Sequence, residues 1–133
     1  MRSKIFLVLL LVLAGCEPHS ARQVSSKTEV WYVEQLAAQN GWQSEVTTSI
    51  GTRCDLLTDK LAIEVEWPNK TFEAIGQSLH YAEQLDREPG IIFLVRNADD
   101  REYILKRVGN ISLDCGIKLF WCDTKTLTLD AQH

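Results

Sequence analysis

Six consecutive residues, Gly90-Ile91-Ile92-Phe93-Leu94-Val95, carry no polar side chain. Successive side chains of a strand point to opposite faces of its sheet, so an unbroken apolar run fits a strand covered on both faces. Covering two faces takes helices on both sides, and the sequence supplies them. Val30, Val33, Leu36 and Ala37 recur at helical spacing between Glu29 and Gln39, with Gly41 as the stop. A second helix is expected from Phe72 to about Asp86, with Pro68 suited to its first turn and Pro89-Gly90 breaking it. A third is expected from Asp99 and Asp100 to about Val108, stopped by Gly109. Strands are expected at Trp42–Thr47, Arg53–Leu57, Leu61–Trp67, Gly90–Val95 and Ile117–Cys122, the first two joined by a turn at Gly51. The order α-β-β-β-α-β-α-β predicts an α/β domain in three layers, with a mixed central sheet.

The chain begins differently. Arg2 and Lys4 precede an apolar run from Ile5 to Leu13, which ends in Leu13-Ala14-Gly15-Cys16. A basic start, a short apolar stretch and small residues at its end describe a secretory signal. The run is too short for a permanent span, which needs about 20 apolar residues. Leu-Ala-Gly-Cys resembles the lipobox of bacterial lipoproteins. That resemblance implies cleavage before Cys16, diacylglyceryl on its thiol and an acylated amine, and hence a stable lipid anchor. Glu17 after the cysteine points, by the same resemblance, to an outer membrane where the cell has one. The division expected is a signal peptide over 1–15, a lipidated cysteine and tether over 16–28, and a folded domain over 29–133.

Removing residues 1–15 of 133 leaves 118, enough for one domain with its own core. Of 14 basic and 18 acidic side chains, Arg2 and Lys4 go with the leader, leaving 12 against 18 and a formal balance of −6. Clustered cations that would neutralise phosphates are missing from this pattern, so charge does not support nucleic-acid binding. Cys54, Cys115 and Cys122 remain in the body. Cys115 and Cys122 are close enough in sequence to pair, and buried free thiols are an equal alternative.

The candidate chemistry lies between the second strand and the second helix. Arg53 and Asp55 share one face of a strand, and Glu64 and Glu66 share a face of the next. Lys70, Gln77 and Tyr81 form one stripe of the following helix, and Glu34 on the first helix can look toward the same place. Carboxylates on adjacent strands suit a hard cation such as Mg²⁺ or Mn²⁺, which takes one or two of them together with waters. The bland readings stay open: solvated strand charges for Asp55, Glu64 and Glu66, surface helix residues for Lys70 and Glu34, an ordinary intrahelical pair for Gln77 and Tyr81. His80 points off the stripe and reads as structural, and the four tryptophans read as packing.

Taken in order, Gly51-Thr52-Arg53-Cys54-Asp55, Ala62-Ile63-Glu64-Val65-Glu66 and Gln77-Ser78-Leu79-His80-Tyr81 resemble the PD-(D/E)XK nuclease superfamily. They are similar in particular to its small exported members with Arg-x-Asp, Glu-Val-Asp or Glu-Val-Glu, and Gln-x-x-x-Tyr motifs. The resemblance runs from about Val30 to Cys122 and implies a restriction-endonuclease-like fold. It also implies Mg²⁺- or Mn²⁺-dependent hydrolysis of phosphodiesters. Asp55 and Glu64 would be the metal carboxylates, with Glu66 and Glu34 as further ligands. Lys70 and Gln77 would join Asp55 and Glu64 in catalysis, and Arg53 and Tyr81 would hold substrate. The superfamily's lysine belongs two residues after Glu64, where this chain has Glu66, and Lys70 is the substitute within reach by spacing. The alternative expectation is a catalytically inactive envelope lipoprotein that binds a protein or cell-wall partner.

Overall fold

The computed structural model describes residues 26–132. The signal segment, Cys16 and the first part of the tether lie outside these residues. The chain runs α1 (Glu29–Asn40), β1 (Gln43–Thr47), β2 (Arg53–Leu57), β3 (Leu61–Glu66), α2 (Thr71–Leu85, entered through a single 3-10 turn at Pro68–Lys70), β4 (Glu88–Val95), α3 (Ala98–Asp114), β5 (Lys118–Asp123) and β6 (Leu129–Ala131). The six strands form one sheet in sequence order. β1, β2 and β3 pair antiparallel, β3, β4 and β5 pair parallel, and β6 returns antiparallel to β5. The domain is thus α/β with a mixed sheet, as its alternating pattern of elements predicts.

β4 is buried on both faces. Ile92 and Leu94 join Leu56, Ile63, Val65 and Cys122 under Val33 and Leu36 of α1. Ile91, Phe93 and Val95 join Leu119 and Trp121 under Ala74 of α2 and Ile104 and Val108 of α3. Local chemistry fixes the helix ends. The Thr28 hydroxyl accepts from the Trp31 amide, Gly41 closes α1 at φ 67°, and the Asn97 side chain accepts from the Asp100 amide.

Three sequence expectations change. Pro89-Gly90 does not separate helix from strand: α2 already stops at Leu85, with Asp86 at φ 51°, and β4 contains both residues. Pro89 sits near the start of its strand, and a Cβ on Gly90 would lie 3.1 Å from the Ile63 side chain, a close approach that a larger residue meets only if Ile63 shifts. Gly109 does not end α3, which continues to Asp114 because Ile104, Val108 and Ser112 carry the buried stripe past it. The stop is Gly116, at φ 68°. The short edge strand β6 was not anticipated. The described cysteines are free thiols: Cys115 is exposed, and burial pushes Cys54 up to about 12 and Cys122 to about 11.

Candidate functional site

Asp55 sits where the sheet loses its regularity on both sides. β2 and β3 pair at Leu57↔Ala62 and Leu56↔Ile63, and the register goes no further. β3 runs on to Glu66, and the Asp55 carboxylate replaces the missing backbone acceptor by taking the Val65 N–H at 2.8 Å. Across the other edge, β1 pairs with residues on either side of Asp55 but not with Asp55 itself. The β1 residue facing that gap, Glu45, has φ 56°, a left-handed conformation uncommon for a side chain of this kind. Its carboxylate is ion-paired with Arg53. The opened ladder is what lets a β2 carboxylate reach the edge of β3.

Glu64 and Glu66 point from β3 to the side of α2, and both are buried. Glu66 is fully engaged: one oxygen accepts from the Trp67 amide at 2.8 Å and the other from the Lys70 ammonium at 3.4 Å. Glu29, the first residue of α1, lines the same cleft. Glu64 is different. Its Oε2 is buried with no hydrogen-bond partner among the described residues, and so is Oε1 of Gln77. Natural structures leave few such atoms, so two in one site call for an explanation. Tyr81 stands one turn further along α2 and lines the same cleft.

Asp55, Glu64, Glu66, Lys70, Gln77 and Tyr81, with Arg53, line one cleft of about 590 Å³. Glu29, Glu73, Thr47, Gly51 and Thr52 complete the wall. Glu34 is not among them; it lies exposed on α1. Five carboxylates therefore face two cations. Burial, then the charge of Asp55 and Glu66, pushes Glu64 up to about 9. Burial and the neighbouring Glu66 push Glu29 up to about 8. Burial pushes Asp55 up to about 6 against the pull of the Val65 amide. Lys70 is raised, chiefly by the charge of Glu66. Without a counterion this cleft holds protons.

A larger hollow of about 700 Å³ lies at the opposite end of the strands, beside Trp42, Lys60, Arg87 and Lys118, and holds no buried unpaired group. The acidic cleft lies toward the carboxyl end of β3, where ligands of parallel sheets gather. The sequence pattern did not single out Glu29 or Glu73. A carboxylate in a helix's first turn is explained by the helix dipole alone, so Glu29 gave no signal. Glu73 stands four residues before Gln77, and extending that stripe backwards would have found it.

No family model, no curated protein and no solved structure matches the chain. Among the described residues no helix is long and apolar enough to cross a membrane. None of their His, Cys, Asp and Glu side chains forms a group of three arranged to hold a metal ion. The donor set nonetheless fits a hard cation that takes two carboxylates and keeps its waters. Asp55 and Glu64 line the same cleft, and the orphaned oxygens of Glu64 and Gln77 are hard donors of the kind such a cation takes.

Proposed function

We propose that the chain is an exported lipoprotein, anchored through lipid on Cys16 in the cell envelope, whose domain is a PD-(D/E)XK-type phosphodiesterase acting on nucleic acid with Mg²⁺ or Mn²⁺. The observation that carries this reading is the unpartnered Glu64 carboxyl, buried in the same cleft as Asp55 and Lys70. A carboxylate that finds no hydrogen bond inside a protein is costly, and a cation bound during function removes that cost. Sites that hold strongly raised carboxyls in a cleft are candidates for chemistry for the same physical reason. The Arg-x-Asp, Glu-Val-Glu and Gln-x-x-x-Tyr motifs supply the named positions.

In this reading Asp55 and Glu64 hold the cation, with Glu66 beside them and the Gln77 oxygen within the same wall. The cation supplies a more acidic water and neutralises developing phosphate charge. Lys70 reaches the cleft from the 3-10 turn, where its ammonium stabilises negative charge on phosphorus oxygens. Arg53 and Tyr81 border the space where a phosphodiester would lie. Glu29 replaces Glu34 as the carboxylate contributed by α1.

One feature favours the alternative, an inactive relative that binds an envelope protein or cell-wall partner. Lys70 is tied to Glu66, and the cleft is acidic enough to repel an anionic substrate until a cation enters. The mature protein, incubated with plasmid and single-stranded DNA in Mn²⁺, separates the two. Cleavage that disappears in Asp55→Ala and Glu64→Gln supports the enzyme, and equal product from all three proteins marks contamination. Mn²⁺ binding without cleavage supports the binding role. A Cys16→Ser variant that still fractionates with membranes overturns the lipid anchor.

A further inference from the structure

His80 follows Gln77 by three residues on α2 but turns to the side of the β1–β2 hairpin. Its Nε2 lies 2.8 Å from the Thr52 hydroxyl, which lies 2.7 Å from the hydroxyl of Thr48. Thr48 is buried, and it closes the turn on itself: its hydroxyl accepts from the Thr52 amide at 3.2 Å, and its amide donates to the Thr52 carbonyl at 2.8 Å. Among the described residues, this is the one side-chain hydrogen bond between α2 and the hairpin. Thr52 lines the acidic cleft immediately before β2, and Asp55 follows three residues later within that strand.

We propose that His80 is a positioning residue for the cleft. Through Thr52 it pins the β1–β2 hairpin to α2 and so sets how far Asp55 stands from Glu64 and Gln77. The hairpin needs such a pin. At Asp55 the strand has lost its regular partners on both sides, and beyond Leu56↔Ile63 β2 is tied to β3 by side chains alone, the Asp55 carboxylate on the Val65 amide at 2.8 Å and Cys54 Sγ at 3.7 Å from the Ile63 carbonyl. Among the described residues the Arg53 side chain is held by Glu45 of the same hairpin, so that ion pair moves with the hairpin rather than fixing it to the body. The imidazole serves in either tautomer: its Nε2 accepts from the Thr52 hydroxyl, or it donates and Thr52 passes a hydrogen bond on to Thr48. Valine at position 52 keeps the threonine's branched shape and replaces its hydroxyl with a methyl, so the hydroxyl is the part under test.

The proposal rests on the metal reading of the cleft, and two measurements keep the two apart. The first is Mn²⁺ affinity of the mature protein by calorimetry. Thr52→Val and His80→Ala should weaken it about tenfold, as for groups that orient ligands without touching the metal. Thr52→Ser and His80→Gln, which restore a hydrogen-bonding group, should recover wild-type affinity. The second is amide hydrogen exchange of residues 48–55 without metal, which Thr52→Val and His80→Ala should accelerate while the α3 core keeps its protection. Accelerated exchange with unchanged Mn²⁺ affinity overturns the positioning role, leaving a structural tie. Unchanged exchange overturns the pin itself. Wild-type protein that binds no Mn²⁺ sinks the metal reading, and exchange alone then decides whether His80 holds the hairpin.

Discussion

β3 and β4 lie side by side in parallel register, and their residues facing α2 and α3 differ in one respect. Glu64 stands against Ile91 and Glu66 against Phe93. The β4 side continues into β5 as a dry surface, with Phe93 stacked on Trp121 at 6.3 Å between ring centres. The β3 side, under the same helix α2, carries two buried carboxylates and one orphaned oxygen. β3 and β4 pair with each other along the whole of this stretch, but β4 is also paired to β5 throughout, while β3 beyond Ile63 has no register partner in β2. One half of the face is built for stability and the other is built at stability's expense. Buried charge without a partner destabilises a fold, and it persists where it serves something else.

The comparison breaks most visibly on its apolar side. Phe93 is fully buried, and Phe93→Ala should cost about 3–5 kcal/mol, the transfer of a large ring plus the cavity it leaves. Chemical denaturation checks it, and a loss under 1 kcal/mol would mean the dry half is not the core it looks.

The acidic side should respond in the opposite direction. Glu64→Gln removes an ionisable group that the fold holds well above its ordinary value, so it should stabilise the metal-free protein by roughly 1–3 kcal/mol at pH 8. The sign follows from proton uptake. A carboxyl raised to about 9 keeps its proton in the folded state and loses it near 4.5 in the unfolded one. Wild-type stability is therefore greatest below about pH 4.5 as far as this group is concerned, and it falls as pH rises toward 9. Glu29 and Asp55, also raised, act in the same direction. Thermal melts at pH 5 and pH 8 should show a gap between variant and wild type that is small at pH 5 and wide at pH 8. A uniform gap would place the effect in packing, and a destabilised variant would refute the idea that Glu64 is costly. With Mn²⁺ present the ranking should reverse, because metal binding releases the protons and grows stronger with pH.

How much of this was legible depended on which residues speak through their neighbours in sequence. The double-sided burial of β4 was legible because six apolar residues in a row have few other uses. The grouping of Arg53, Asp55, Glu64, Glu66, Lys70, Gln77 and Tyr81 was legible too, since strand and helix periods fix which residues share a side, and all seven line the cleft. What stayed hidden was set by long-range geometry. The gap in pairing at Asp55 has no local signature, and neither does the positive φ of Glu45. Glu29, at the first residue of α1, lines the cleft, while Glu34, five residues further on, is exposed, and helical spacing alone does not tell the two apart. His80 points off the stripe and reads as structural, and its contact with Thr52, 28 residues away, leaves no trace in the local pattern.

Gly109 gives the smallest effect and tests the dry half from its helix. Glycine is a common stop signal, yet α3 passes through this position for five more residues. The reason lies in its surroundings: Val108 and Ser112 are buried on either side, and their contacts outweigh the entropy a mid-helix glycine loses on folding. A methyl there would meet Leu105 at 3.7 Å, an ordinary contact, with nothing nearer. Gly109→Ala should then stabilise the protein by about 0.5–1 kcal/mol, read as a small rise in melting temperature at both pH 5 and pH 8. Independence from pH is the informative part. It would set this substitution apart from Glu64→Gln and confine the pH response to the acidic side of the sheet. A pH-dependent gain at Gly109 would mean that the two halves of the face are coupled through α2 and α3, and that the division between a stable half and a costly half is too sharp.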